Sequence, residues 1–346
     1  MGQAFGLYTH IRNNRWRSWF LLASLFVLVA AVTFALTLVF DAARFNAPFY
    51  RILSYAWRQF WSYLPVAFIL ATIWVGIGFA FNTTMIAWAT GSQEVTRESH
   101  PRLYHLLETL CISRGMPVPR LAVIESAALN AFASGVTEKQ YQISVTTGLM
   151  EALDDAELEA VLAHELTHIR NQDVRLMIIA VLIAGVISFF GELLVRGRFR
   201  FGGGGGSSDN KGRGFALLVG AVIMLLAWFL AVLIRFSLSR SREYLADAGA
   251  VELTKNPDAM ISALLKISGR ADIEGVPSGI MDMCIENDPD DFADIFSTHP
   301  SITKRIQALQ AHAGGHIPLG PPQAIADRES LTDIVEKRGP WARGGP

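Results

Sequence analysis

The residues of this chain best suited to chemistry lie in one short segment, His164-Glu165-Leu166-Thr167-His168, which has the pattern H-E-x-x-H. An α-helix turns about 100° per residue, so residues four apart differ by about 40° in direction and about 6 Å in height. One divalent cation can therefore bind both imidazole rings. Glu165 lies one position further round the helix, where its carboxylate can act on a water molecule beside that cation. The pattern indicates the metal site of a zinc peptidase.

The sequence around this motif predicts the helix that the motif needs. Asp154, Asp155 and Glu157 fall in the expected first turn, where the positive end of the helix dipole favours negative charge. We therefore expect a helix over residues 154–170. The alternative is two histidines and a glutamate on a solvated helix face. The amphipathic pattern makes that the weaker interpretation, since apolar residues recur at helical spacing: Leu153, Leu158, Val161, Leu162, Leu166 and Ile169.

A catalytic zinc site usually has three protein ligands and keeps a fourth position open, so a third ligand must come from elsewhere. The segment 239–247 contains two carboxylates, Glu243 and Asp247, which lie on one face of a predicted helix. One of them could bind zinc, and the other could accept a hydrogen bond from a ligating imidazole. On spacing alone, a surface charge cluster that includes Arg242 is the alternative.

Composition places part of the chain in lipid. Of the 346 residues, 51% are hydrophobic and only 18% are charged, and the mean hydropathy is +0.32. These values are high for a soluble globular protein. The formal net charge of −1 gives no indication of a nucleic-acid partner. The two cysteines, Cys111 and Cys284, are too few for a disulfide framework and lack the paired spacing of a thiolate zinc site.

Four apolar stretches have the length needed to cross a hydrocarbon core of about 30 Å. We interpret the first as a membrane anchor and not a cleaved signal peptide, because it is longer than a usual signal h-region and no small-residue cleavage site follows. The second is interrupted near its end by Asn82, so a buried helix is the alternative there. The stretches cover about residues 19–40, 65–89, 176–195 and 215–234.

The polar remainder predicts an α+β unit and a mainly helical unit. In the first, residues 102–114 have helical periodicity, and residues 120–124 and 142–146 predict short strands rich in β-branched residues. In the second, Asn256-Pro257 is a typical N-cap followed by proline at the first helical position. We expect one transmembrane hairpin at residues 1–90 and a second at residues 176–238. The catalytic domain would comprise residues 91–175 and 239–313, and residues 314–346 would form a mobile Gly/Pro-rich tail.

Four blocks together give the chain a resemblance to a known family. In order along residues 90–310 they are Asn130-Ala131-Phe132-Ala133-Ser134-Gly135, His164 to His168 followed by Asn171 and Asp173, Ser241-Arg242-Glu243-Tyr244-Leu245-Ala246-Asp247, and Ser297-Thr298-His299-Pro300 followed by Arg305. This set resembles the HtpX-like membrane zinc metalloproteases, relatives of the CAAX prenyl endopeptidases. The glycine-rich loop and the tail depart from the family pattern.

The resemblance implies a fold class and a ligand set. The fold would be an α-rich integral membrane protein with about four transmembrane helices and a gluzincin-type α+β zinc metalloprotease domain. One zinc ion per chain would be bound by His164, His168 and Glu243. Asp247 would then orient one of the imidazole rings, and Glu165 would be the general base.

The resemblance also implies a substrate strand and a second catalytic pair. Asn130, Ala131, Phe132 and Ala133 would form an edge strand to which an extended peptide adds as another strand. Taken alone, that segment could equally be an ordinary loop. His299 and Arg305 would be further catalytic residues, which stabilise the oxyanion or support the walls of the site. A histidine before proline is, however, more often structural.

Metal coordination constrains the membrane topology. His168 lies just before the third apolar stretch and Glu243 just after the fourth, and both must reach one ion. The two stretches therefore form a hairpin, with the glycine-rich loop at 196–214 on the opposite side or near the membrane surface. Basic residues flank both ends in similar numbers, so the positive-inside rule decides little. The family resemblance favours a bacterial-type inner membrane with the catalytic domain facing the cytoplasm.

These features predict a membrane-embedded zinc endopeptidase that cuts extended segments of membrane or membrane-proximal proteins, in protein quality control. Its partners would be a protein or peptide substrate and the lipid bilayer. A CAAX-type prenyl protease is the first alternative, although four stretches are few for its larger membrane chamber. In an intramembrane-cleaving protease the motif would lie inside a spanning helix, whereas polar residues 170–173 follow it here. A non-cleaving zinc-binding scaffold would have no need of Glu165.

Overall fold

The computed structural model describes residues 7–196, 211–236, 241–276, 278–281, 283–285 and 300–317. His299, the glycine-rich stretch 197–210 and the tail from residue 318 lie outside the described residues. Within them, one small sheet lies among helices. The elements are α1 Leu7–Arg44, α2 Phe49–Thr90, β1 Gln93–Glu94, α3 Pro101–Arg114, β2 Arg120–Ile124, β3 Ala131–Ser134, β4 Gln142–Thr146, α4 Thr147–Ala152, α5 Asp155–Asn171, α6 Asp173–Arg196, α7 Lys211–Phe236, α8 Ser241–Thr254, α9 Pro257–Ile267, α10 Ser278–Met281 and α11 Ile302–Ala313.

Three described helices are long and apolar enough to cross a membrane: Trp16–Arg44 in α1, Phe49–Thr90 in α2 and Lys211–Leu230 in α7. They correspond to the first, second and fourth predicted stretches. The third stretch lies in α6, where side chains beyond residue 186 fall outside the described part. The crossing of the membrane by α6 therefore stays a prediction.

The apolar helices α1 and α2 run antiparallel to each other. Phe26 meets Phe68 edge to face at 5.3 Å between ring centroids, and Phe34 meets Phe60 at 5.6 Å. The contacting residue in α2 has a lower number when the contacting residue in α1 has a higher one, so the two helices are antiparallel and form a hairpin. α1 also packs against α6 and α7, and these two helices contact each other.

The second helix joins the apolar helices to the domain that contains the sheet. Its 42 residues follow a path of about 63 Å at 1.5 Å per residue, roughly twice the thickness of a hydrocarbon core, and the helix is kinked at Phe81. At its far end, Gln140 Nε2 donates to the Phe79 carbonyl at 3.0 Å, and Ile86 packs in the same apolar core as the sheet. The indole Nε1 of Trp74 donates to the Leu182 carbonyl at 3.3 Å, which ties α2 to α6.

The sheet has the strand order β1-β2-β4-β3. β2 and β4 are parallel, with Leu121 opposite Ile143, and β3 is antiparallel to β4, with Phe132 opposite Ser144. The predicted strands at 120–124 and 142–146 are confirmed. Residues 131–134 form a strand at the edge of this sheet. Phe132 is fully buried, and a side chain of that size stabilises the fold by about 1.5–3 kcal/mol through burial alone.

The helix that carries the H-E-x-x-H motif is confirmed, as α5, and it starts with a capping box. Asp154 Oδ1 accepts from the Glu157 backbone N–H at 2.9 Å, and Glu157 Oε2 accepts from the Asp154 N–H at 2.9 Å. Glu157 also accepts hydrogen bonds from Ser262 and Lys266 of α9, each at 2.6 Å. The acidic first turn therefore both starts α5 and docks it on its neighbour.

We expect Gly148→Ala, at the start of α4, to destabilise the fold by about 1–3 kcal/mol, the usual cost of overpacking. A Cβ at Gly148 would lie 2.6 Å from the Ala127 carbonyl carbon, which is backbone and cannot rotate away. The matched control is Gly76→Ala, because a Cβ there meets nothing within 4 Å. Apparent melting temperatures in detergent should fall only for Gly148→Ala. Equal melting temperatures for the two variants would contradict the packing described here.

Candidate metal centre

Three predicted metal ligands meet at one point. α5 presents His164 and His168 one turn apart, and Glu243 approaches from the first turn of α8, which packs against α5. One ligand atom from each lies within 4.8 Å of the others. The two Nε2 atoms are 3.1 Å apart, and the Glu243 carboxylate oxygens lie 3.5 Å from His164 Nε2 and 3.7 Å from His168 Nε2. All three side chains are buried.

This donor set fits a tetrahedral divalent ion. Zinc binds imidazole nitrogen and carboxylate oxygen at about 2.0–2.2 Å, so neighbouring ligands of a tetrahedral site are separated by about 3.3–3.6 Å. The two imidazole nitrogens are 3.1 Å apart, and the distances of 3.5 and 3.7 Å, each to a different oxygen of the Glu243 carboxylate, lie around that range. Two imidazoles and one carboxylate are also a known ligand set of catalytic zinc. The residues present therefore fit the metal that the motif implies.

His164 is oriented by a buried carboxylate that is itself held in place. Its Nδ1 lies 2.9 Å from Asp247 Oδ1. Arg305, from α11, donates to both Asp247 oxygens, from Nε at 2.8 Å and from Nη2 at 2.6 Å. Burial tends to raise the pKa of Asp247, but the guanidinium of Arg305 outweighs it and holds that pKa below its usual value. Asp247 thus stays charged and turns the Nε2 of His164 toward the ligand cluster.

His168 has a carboxylate partner of its own, Asp173, whose Oδ2 lies 3.1 Å from the imidazole Nδ1. Gln172 makes this contact possible. It adopts a left-handed conformation with φ of 61°, ends α5 and lets α6 begin at Asp173, directly beneath the imidazole. Sequence reasoning placed Asp173 in a family block but gave it no role. An acidic residue just past the end of the motif helix was the available signal.

The electrostatics of the cluster favour a bound cation. Burial lowers the pKa of His168, but the carboxylates of Glu243 and Asp173 outweigh it and raise that pKa to about 10. The pKa of His164 is also raised, because the hydrogen bonds to Asp247 and Glu243 outweigh burial. The carboxylates around both imidazoles therefore favour positive charge in this pocket. A divalent cation would supply that positive charge.

Glu165 lies beside the ligand cluster and the edge strand. Its side chain is buried, and burial raises the pKa of the carboxyl group. The backbone N–H of Ala133 in β3 lies near this carboxylate and tends to lower its pKa, but burial outweighs that effect. Within the described part of the chain, Glu165 Oε1 has no hydrogen-bond partner. A carboxylate with a raised pKa and an available oxygen is suited to take up a proton.

The remaining predicted site residues have defined contacts. The side-chain amide of Asn130 donates to the Ala271 carbonyl at 2.7 Å, and its Oδ1 accepts from the Ala131 N–H at 2.9 Å, so Asn130 anchors the start of β3. Arg305 Nη1 donates to the Ile285 carbonyl at 2.8 Å, in addition to its contacts with Asp247. The roles of Arg305 at the oxyanion and of β3 as the substrate strand stay predictions.

Comparison with known proteins connects this geometry to a family. The model of Peptidase family M48 matches residues 97–313, which include all three clustered ligands. A protease HtpX homolog of Bacteroides fragilis (strain YCH46) is 37% identical over 319 residues, covering 89% of this chain and 99% of that protein. The chain belongs to peptidase family M48. A further protease HtpX homolog, of Ligilactobacillus salivarius (strain UCC118), is 38% identical over 251 residues, covering 70% of this chain and 85% of that protein.

As an M48 peptidase with apolar helices long enough to span a bilayer, the chain is a membrane metalloendopeptidase. The predicted family and enzyme class are confirmed. Among solved structures, "Crystal Structure of S. mikatae Ste24p" is similar with a TM-score of 0.45 and 21% identity, covering 72% of this chain and 58% of that one. That likeness is too low to add to the assignment.

We expect Asp173→Asn to weaken zinc binding by about 10–100-fold, the usual effect of removing a carboxylate that orients a ligating histidine. Asparagine has the same shape but carries no charge, so His168 would lose its charged partner. Competition with a chromophoric chelator measures the affinity. The control is Asp155→Asn on the exposed ion pair with Arg102, where we expect no change. Equal affinities in the two variants would show that Asp173 does not orient the ligand.

Proposed function

We propose that this M48 peptidase is a gluzincin-type zinc endopeptidase with one zinc ion bound by His164, His168 and Glu243. The observation that carries the proposal is the meeting of three buried ligand atoms within 4.8 Å, beside a buried Glu165 with a raised pKa. Asp247 and Asp173 would hold the two imidazoles with Nε2 toward the ion. When bound, the zinc ion polarises the scissile carbonyl and acidifies water.

Glu165 would act as the general acid and base. Its position beside the ligands allows it to remove a proton from the attacking water and then to deliver that proton to the leaving amine. The raised pKa of its carboxyl group supports this double role, because the group must hold the proton between the two steps. The neighbouring N–H of Ala133 would keep the carboxylate turned toward the edge of β3, along which a peptide would lie.

The fold and the relatives support a proposal for the substrate class. An extended polypeptide would pair with β3, since strand addition uses the backbone and leaves the sequence largely free. A peptidase attached to the bilayer meets membrane and membrane-proximal segments first. Together with the relatives named as HtpX homologs, this supports a role in quality control of membrane proteins, with the catalytic domain facing the cytoplasm of a bacterial-type cell.

We expect Glu165→Gln to keep its zinc and to lose about 10²–10⁴ in kcat, the usual contribution of a general acid–base residue. Unfolded casein is the substrate, and zinc is counted per chain in the same detergent preparation. Glu159→Gln, on the same helix, should cleave like wild type. If Glu165→Gln still cuts, another base is at work. If wild type with a full complement of zinc cuts nothing, the scaffold alternative replaces the peptidase proposal.

Orientation is tested with two introduced cysteines at exposed positions, Lys139→Cys in the β3–β4 turn and Asn46→Cys between α1 and α2. The native Cys111 and Cys284 are buried. In intact spheroplasts, a membrane-impermeant maleimide should label Asn46→Cys, whereas Lys139→Cys should react only after lysis. The reverse pattern would place the catalytic domain outside the cytoplasm.

A further inference from the structure

A short segment of the chain itself lies on the open edge of β3. Cys284 pairs with Phe132 in an antiparallel bridge. The N–H of Ile285 donates to the Ala131 carbonyl at 3.0 Å and lies 3.1 Å from Asn130 Oδ1. Residues 283–285 therefore add to β3 in the way that a short strand would. Sequence reasoning gave no sign of this contact, because nothing in the local pattern marks these residues as a strand.

The other polar group of the same residue is also bound. The Ile285 carbonyl accepts from Arg305 Nη1 at 2.8 Å, and that guanidinium holds Asp247, the carboxylate partner of His164. Both sides of this residue thus engage groups at the margin of the metal centre. One is a backbone acceptor on the strand edge, and the other is a buried cationic side chain.

This segment and a peptide substrate would need the same position. The free side of an edge strand can pair with one further strand, which lies about 4.8 Å away. Residues 283–285 and a substrate strand therefore cannot both pair with the same part of β3. Met283, Cys284 and Ile285 are all buried, at 3%, 1% and 1% exposure, and so are Glu165 and His168, at 1% and 4%. As described, the metal centre is closed to an incoming polypeptide.

We propose that residues 283–285 act as an intramolecular pseudosubstrate, which occupies the β3 edge and keeps the peptidase latent until a substrate displaces it. The proposal rests on the proposed function, since it takes β3 to be the substrate strand. Extended, unfolded segments compete with residues 283–285 because they offer a continuous row of backbone donors and acceptors. In folded proteins most of these backbone groups are already hydrogen-bonded within the fold. Latency of this kind therefore adds selectivity for unfolded polypeptides without any separate recognition site.

The first test weakens the pseudosubstrate. Ile285→Pro removes the N–H that binds the Ala131 carbonyl and Asn130, and Ile285→Val is the matched control that keeps it. We expect Ile285→Pro to lower the KM for casein by about tenfold, the worth of one or two intramolecular hydrogen bonds, with little change in kcat. Ile285→Val should match wild type. An unchanged KM in a folded, zinc-loaded Ile285→Pro variant would overturn the proposal.

The second test needs no cleavage and no change in the segment. In the Glu165→Gln variant, saturating casein should raise the rate at which iodoacetamide alkylates Cys284, because displacement of residues 283–285 exposes the thiol. Cys111, which is buried in the same core and has its pKa raised by burial to about 11, is the internal control and should not respond. If casein leaves the Cys284 rate unchanged, no displacement occurs and the proposal fails.

The two proposals fail in distinguishable ways. Loss of the proposed function appears as zinc-loaded wild type and Ile285→Pro that both leave casein intact, and the pseudosubstrate falls with it. Failure of the pseudosubstrate alone appears as normal cleavage by wild type with an unchanged KM in Ile285→Pro and no response of Cys284.

Discussion

Two imidazole rings on adjacent turns of one helix must turn the same edge toward one point, and nothing in the helix itself forces them to do so. In this chain each Nδ1 faces a buried carboxylate, Asp247 for His164 and Asp173 for His168. A buried carboxylate is costly unless it is paired. Arg305 pairs Asp247 on both oxygens, and the left-handed Gln172 delivers Asp173 from the adjoining helix. Ligand orientation thus depends on groups outside the motif.

These partners come from separate parts of the fold, and α5 is the element that collects them. Its first turn is fixed to α9 through Glu157, its middle packs against α8 and β3, and its end leads directly into α6. α2 continues from the membrane part into the same core, where Ile86 packs with residues of the sheet. The long apolar helix α2 and the ligand-bearing helix α5 therefore pack in one hydrophobic core.

Arg305 connects the metal side of the site with its substrate side. It holds Asp247 through two short hydrogen bonds and the Ile285 carbonyl through a third. Because residues 283–285 also pair with β3, one guanidinium links the carboxylate partner of His164, a candidate metal ligand, to this segment. If the segment acts as the proposed pseudosubstrate, its displacement would free one donor of Arg305 for a substrate carbonyl while the bonds to Asp247 remain.

Much of the architecture was readable from the sequence because its signals are local. The apolar lengths predicted long helices where α1, α2 and α7 are found, and periodicity predicted α3, α5, β2 and β4 to within a residue or two. The spacing of His164 and His168 predicted that both could bind one ion, since four residues of helix give one face. The choice of Glu243 over Asp247 as the third ligand needed a family resemblance, because spacing alone treats two carboxylates one turn apart alike.

Tertiary structure alone decided the contacts between distant segments. It brought Arg305 to Asp247, Asn130 to the Ala271 carbonyl, and residues 283–285 to the edge of β3. No repeating pattern in the sequence indicates these contacts, because each joins segments from different elements and depends on how those elements pack. The physical reason is that helix and strand patterns encode which face of an element is buried, whereas the identity of the opposite partner is encoded only by the complete fold.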